Sequence, residues 1–358
     1  MKTATPATAR AINDRLALDL LLEHGPLTAP QLRDLTGLSR PTVADLVERL
    51  RTAGLVESGG ESGEERRGPN ARLYCLVADR AHVAGVDLRR TGIDVTVADL
   101  VGRTVGSASR RFPLPASGGS AADLASHLAS DPAPDLASAV AGAVGEAAAG
   151  RPLQAVVVGA PGLVRPHTGD LVSDNDVPGW RPGLVEELQR TLGAQVLLEN
   201  EVNLAAIAEH RLGSATGRED FVLLWLDDGV GGAVVLGGRL RRGVSGGAGE
   251  IGWLDIEGTT FCDTVAPRIA RDLTVEQLAA RIAKGAFAAV AVLDPGLVVL
   301  GGTLGRAGGE ALAALVAERV AAQSPAITEF RPSTVEGNAI LQGAVLTALD
   351  LARDAVFG

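Results

Sequence analysis

A chain of 358 residues has room for two or three domains of roughly 100–200 residues each. With 46% hydrophobic and 21% charged residues it reads as a soluble globular protein, and aromatics at 3% leave the core to Ala, Val and Leu. The net charge of −10 is unevenly spread: residues 1–80 hold 11 basic and 11 acidic side chains, the rest 22 against 32. That balance excludes a broad nucleic-acid surface and confines any DNA contact to a local patch near the N-terminus. The longest apolar runs, such as 287–293, are far too short to span a bilayer, and "MKTATPATAR" lacks the apolar core of a secretory signal. A cytoplasmic protein with no membrane partner is expected. Its two cysteines, Cys75 and Cys262, are expected as buried small hydrophobes and cannot supply a Cys₄ or Cys₃His zinc site.

"AINDRLALDLLLEHG" sets Ile12, Leu16 and Leu20 on one helical face and stops at Gly25-Pro26. "TAPQLRDLTG" predicts a short helix capped by Thr28, with Leu32 and Leu35 inward. After a tight turn at Gly37, "GLSRPTVADLVERLRTAG" predicts a third helix with Ser39 as its cap and Pro41 in its first turn. Val43, Leu46, Val47 and Leu50 form its apolar stripe, which leaves Arg40, Thr42, Ala44, Asp45 and Arg49 outside. Strands at 54–58 and 71–77 flank the polar, Gly-rich "GGESGEERRGPN". Helix-turn-helix followed by a hairpin is a winged helix. The candidate DNA contacts are Ser39, Arg40, Thr42 and Arg49 on the third helix, with Arg66 and Arg67 at the wing tip. Against this, Asp45 and Glu48 would repel phosphate, and helical protein-interaction modules share the shape.

Residues 83–112 alternate over three short runs, an antiparallel meander. A helix at 135–150 follows, then the buried strand and Gly/Pro loop of "LQAVVVGAPG", the helix "LVEELQRTLG" and the strand "AQVLLEN". The theme returns with "DFVLLWLDDGVGGAVVLGGRLRRG", helices from about Pro267, the strand of "DPGLVVLGG" and two more helices. This is a duplicated α/β architecture with a cleft between two lobes.

Five motifs stand in order behind the winged helix: "GAPG", "SDNDVPGWRP", "ENEVNLAA", "GGAGEIG" and "DPGLVVLGG". Through them, over nearly its whole length, the chain resembles the ROK family of repressors and sugar kinases. The resemblance implies a two-lobed actin-like ATPase fold. The expected division is a winged helix over 1–80, an N-terminal lobe over 81–198 and a C-terminal lobe over 199–358, the last helix packing back on the N-terminal lobe. It also implies sugar contacts at Gly162, Asn175, Asn200, Glu201 and Glu250. Asn200 reads equally well as a helix cap, and Glu250 as a carboxylate satisfied by the N–H groups of its glycine loop.

The chain also departs from the family pattern. Where the family's kinases have Asp-x-Gly-Gly-Thr at the first phosphate turn, this chain reads "DLRRT"; Asp87 stays, and Arg89 and Arg90 replace glycines that let backbone approach ATP. Solvated turn residues are the expectation for both. The second phosphate loop carries Asp227 and Asp228, which would repel phosphate oxygens. Glu201 takes the position of the family's catalytic aspartate, so no catalytic residue is assigned. Trp253 replaces a histidine and only Cys262 remains of three cysteines, so the family's structural zinc is expected to be lost. Trp253 either stacks on a sugar or fills the vacated space. No metal or cofactor is expected. The reading is a repressor that binds a double-stranded operator as a homodimer or higher oligomer, through a non-catalytic domain sensing a sugar or sugar derivative. Its alternatives are an active ATP-dependent sugar kinase fused to a DNA-binding domain, and an effector-free scaffold.

Overall fold

The computed structural model describes residues 6–61, 72–112, 135–166, 168–171 and 177–358. Arg66, Arg67 and Asn175 lie outside the described residues.

The first unit is built from α1 (Pro6–His24), β1 (Leu27–Thr28), α2 (Ala29–Thr36), α3 (Arg40–Thr52), β2 (Val56–Glu61) and β3 (Arg72–Leu76), the strands ordered β1-β3-β2. Thr28 and Gln31 form a reciprocal capping box at α2, and Gly37 ends that helix at φ 70°, a left-handed conformation that favours glycine. Leu32, Val43, Leu46, Val47 and Leu50 are buried as their spacing demands. Two expectations fail. Leu35 is 48% exposed, and α1 buries Ala17, Leu18 and Leu21 while Ile12 and Leu16 stay out at 60% and 40%. The run "LALDLLL" is apolar on adjacent faces, so packing rather than periodicity chooses which face is buried.

The second unit is two copies of one plan. In the first, β4 (His82–Arg89), β5 (Gly92–Asp99) and β6 (Thr104–Arg111) form the meander. Helix α4 (Leu136–Ala148), β7 (Leu153–Ala160), α5 (Leu184–Leu192) and β8 (Gln195–Asn200) complete it, in the order β6-β5-β4-β7-β8 with β4, β7 and β8 parallel. After α6 (Glu201–Leu212), the second meander is β9 (Phe221–Leu226), β10 (Val230–Leu236) and β11 (Arg239–Arg241). A hairpin of β12 (Asp255–Ile256) and β13 (Thr259–Thr260) follows, with short helical turns at Phe261–Val265 and Pro267–Ala270. Then come α7 (Val275–Leu293), β14 (Leu297–Gly301), α8 (Gly302–Ala321), β15 (Glu329–Pro332) and α9 (Ala339–Phe357). The second sheet runs β11-β10-β9-β14-β15, the same order as the first. Sequence patterning missed β15, four residues with no alternation to betray them.

Helix α9 lies against β4, β7 and α6. Its seat depends on missing side chains: a Cβ at Gly343 would stand 1.9 Å from the Leu204 carbonyl oxygen, and one at Gly85 would stand 2.8 Å from Val345. At its far end Asp354 pairs with Arg15 of α1 at 3.0 Å, and the Arg15 guanidinium lies 5.5 Å from the centre of the Phe357 ring. Arg353 donates to the Leu100 carbonyl at 3.1 and 3.2 Å. One helix thus touches both the first sheet and the winged helix. Among the described residues no helix is long and apolar enough to cross a membrane.

Candidate functional site

On α3 the Ser39 hydroxyl accepts the Thr42 N–H at 3.4 Å and lies 2.8 Å from the Thr42 hydroxyl. Ser39 and Arg40 are exposed at the helix start, where a groove-entering helix presents its contacts. Arg49 is different. It reaches back to α1, donating to Asp14 at 2.5 Å, and also pairs with Asp45. Its guanidinium ties two helices together, and the expectation of a free DNA contact is corrected.

Between the two sheets the opening of α6 gathers several of the expected ligand residues. Asn200 caps the helix: its Oδ1 accepts the N–H groups of Val202 at 2.8 Å and Asn203 at 3.1 Å. Its Nδ2 donates to the Gly162 carbonyl at 3.0 Å and to Glu201 Oε2 at 3.2 Å. The cap reading of Asn200 therefore holds, and Gly162, Asn200 and Glu201 form one cluster. Glu201 is half-buried. Desolvation first, then the charges of Asp87 and Glu250, push its carboxyl up to about 8 against the pull of Arg89. Burial also raises the Glu250 carboxyl. At neutral pH Glu201 therefore mostly keeps its proton and can donate a hydrogen bond to a ligand hydroxyl.

The residue just before this cluster, one of the two carboxylates at the strand-to-helix handover, gets no role of its own from the sequence. Glu199 is 3% exposed and accepts from Asn203 Nδ2 at 2.9 Å, the Asn200 N–H at 3.0 Å and Arg242 Nε at 2.6 Å. Arg242 follows β11, so this ion pair joins the two sheets. Only the placement of a carboxylate inside a buried strand hinted at it.

The first phosphate turn holds the largest surprise. Arg89 donates to buried Asp87 at 3.0 and 3.2 Å, and its Nη1 stands 3.8 Å from Asp227 of the second turn. Arg89 is thus no solvated turn residue. Asp87 also accepts from Asn338 Nδ2 at 2.7 Å; burial raises its carboxyl, while Arg89 and Asn338 oppose the rise. Asn338 is the N-cap of α9, a role its position before an apolar helix could have announced. Asp227 accepts from the Thr303 hydroxyl at 2.9 Å. Arg89, Asp227, Thr303, Arg306 and Asn338 line a hollow of about 420 Å³ between the sheets.

Trp253 is 69% exposed and does not fill space. Phe261, eight residues on, is fully buried against α7, where a Cβ at Gly285 would stand 2.2 Å from the ring. Cys75 and Cys262 are free and half-buried, less enclosed than expected. Among the described residues, no three His, Cys, Asp or Glu side chains converge as metal ligands.

The ROK family model matches residues 83–265, and the MarR family model matches residues 12–68. The DNA-binding transcriptional dual regulator NagC of Escherichia coli K12 is 25% identical over 252 residues, covering 69% of this chain and 58% of that protein. The xylose repressor of Bacillus subtilis is 24% identical over 263 residues, covering 72% and 64%. The chain thus spans about three fifths of these relatives' length. A ROK hexokinase from Thermus thermophilus superposes with TM-score 0.60 at 29% identity, over 76% of this chain and 99% of that one. A ROK transcriptional regulator homologous to the E. coli Mlc protein superposes with TM-score 0.70 at 16% identity, over 98% and 99%, and shares the fold.

Proposed function

Because the chain belongs to the ROK family and carries a MarR-type winged helix ahead of that domain, we propose that it is a DNA-binding transcriptional repressor with a sugar-sensing, non-catalytic domain. One observation carries this reading over the kinase: the two turns that would hold nucleotide phosphates are joined to each other through Arg89 and Asp227. Catalysis of phosphoryl transfer rests mainly on positioned phosphates and metal, and a guanidinium anchored to two carboxylates occupies the approach. The NagC and xylose-repressor relatives favour a regulator, and the name of the latter favours a sugar as effector class.

Residues 1–80 form the operator-binding domain, with Ser39, Arg40 and Thr42 at the groove and Arg66 and Arg67 on the wing. Residues 81–198 and 199–358 are the lobes of the sensor. The effector sits over Gly162, Asn200, Glu201 and Glu250, and its closure of the lobes moves α9. Asn338 at one end of that helix touches the cleft, and Asp354 and Phe357 at the other touch α1; this continuity supports a mechanical link from ligand to winged helix. A neutral domain of this size favours two half-sites, hence a homodimer.

The test is selection of bound DNA from random sequence by the full chain, repeated with a panel of hexoses, pentoses and amino sugars. A palindromic or repeated site, released by at least one sugar, is expected. Arg40→Ala weakens that binding by about 1–3 kcal/mol if Arg40 reads a base. Arg66→Ala with Arg67→Ala flattens its salt dependence. Failure to enrich any site, or sugar-dependent ATP turnover by the wild-type chain, overturns the reading.

A further inference from the structure

A second hollow, of about 390 Å³, opens on the other side of the loop that carries Glu250. Val234 and Leu236 of β10 form its floor, Ile251 and Leu254 one wall, and Ala288 and Val292 of α7 the other. It exists because α7 presents alanines here, where larger side chains would have closed the gap. Its lining is almost wholly apolar, and Val292 at its edge is 81% exposed. Leaving such a concavity to water is unfavourable. Its volume falls in the range of small-molecule sites, roughly 300–1,000 Å³.

One charge meets this surface. Arg241, at the end of β11, is part of the lining, and among the described residues no carboxylate pairs with it. One of its N–H groups reaches the Leu236 carbonyl at 3.1 Å, which leaves further donors in the planar fork. An apolar hollow with one unpaired guanidinium matches an apolar body with one negative charge.

We propose that this hollow is a second ligand site, which takes a small aromatic or branched monocarboxylic acid with its carboxylate on Arg241. The site shares a wall with the sugar cleft. Gly249 and Ile251 line the hollow on either side of Glu250, and the Gly249 carbonyl accepts the Gly232 N–H at 2.7 Å. A ligand here bears on the backbone that positions Glu250. Trp253, exposed three residues on, reports it optically. The proposal is independent of the DNA-binding reading, because it concerns binding alone.

The experiment titrates the full chain with phenylacetate and, separately, with its neutral analogue phenylacetamide, read by tryptophan fluorescence and calorimetry. One phenylacetate per chain is expected, with the amide bound at least tenfold more weakly. Ala288→Phe fills the hollow and weakens phenylacetate at least tenfold. Should that variant misfold by circular dichroism, Arg241→Gln stands in, since it alters an exposed side chain; it brings the acid down to the amide's affinity. Three results overturn the proposal: no saturable binding at millimolar concentration, equal affinity for acid and amide, or acid binding unchanged in Arg241→Gln. Sedimentation supplies a fourth. If wild type is a dimer that Ala288→Phe dissociates, and phenylacetate binds neither form, a second copy of the chain covers the hollow.

Discussion

The two halves of the α/β unit share one strand order yet differ at the turn that faces the cleft. Arg89 ends β4 and Arg90 follows it in the turn; the turn after β9 carries Asp227 and Asp228. A nucleotide bridge needs both turns to offer backbone N–H groups to one shared anion. Here the halves have taken opposite charges and face each other directly, Arg89 to Asp227 at 3.8 Å. A duplicated scaffold can thus replace a bound ligand with a side chain of its own, provided its copies diverge in sign.

Breaking the cationic half has the largest expected effect. Arg89→Ala leaves Asp87, 1% exposed, with Asn338 as its remaining partner. It should cost about 2–3 kcal/mol in denaturant unfolding, below the roughly 3–5 of fully buried pairs because Arg89 is partly exposed. Breaking the anionic half costs less. Asp227→Ala removes a longer contact from a carboxylate nearer the surface, and about 1 kcal/mol is expected in the same measurement. Equal losses from the two variants would show that the halves are not distinguished in this way.

The cleft carboxyl sharpens the comparison through pH. Glu201 stands at about 8 in the folded chain, above its usual 4.5. Its stability contribution is therefore complete below the unfolded value and is lost as pH rises through about 8. Melting temperature should fall between pH 5 and about 8.5, and Glu201→Gln should flatten that fall, gaining about 2–4 °C at the alkaline end. A fall of the same slope in the variant would assign the pH dependence to another group. The smallest expected effect is none. Glu201→Asp restores the length of a kinase base but not the phosphate turns, and sugar-dependent ATP turnover should be absent. Turnover in that variant would mean that Arg89 yields to nucleotide.

Local chemistry explains which features were legible beforehand. Caps at Thr28 and Ser39, the α3 stripe and both meanders follow from short-range spacing, and all are present. The pattern around Asn200 fits both a cap and a ligand contact, and its four hydrogen bonds make it the cap. Each of Arg89, Arg49 and Glu199 has a near partner that spacing allows, Asp87, Asp45 and Asn203, but also a distant one, Asp227, Asp14 and Arg242, and no periodicity encodes the distant pairings. Trp253 shows the converse. Its sequence position fits either stacking on a sugar or filling space; at 69% exposed it fills none, while the smaller Phe261 is fully buried.

Phe261 and Gly285 also carry an evolutionary consequence. The ring lies where any β-carbon at position 285 would stand, so each residue sets which substitutions the other tolerates. Enlarging residue 285 requires shrinking residue 261 first, while shrinking residue 261 alone opens a void in the core. The two positions can therefore change only in a fixed order, residue 261 before residue 285, and the intermediate with the smaller residue 261 must bear the cost of the void.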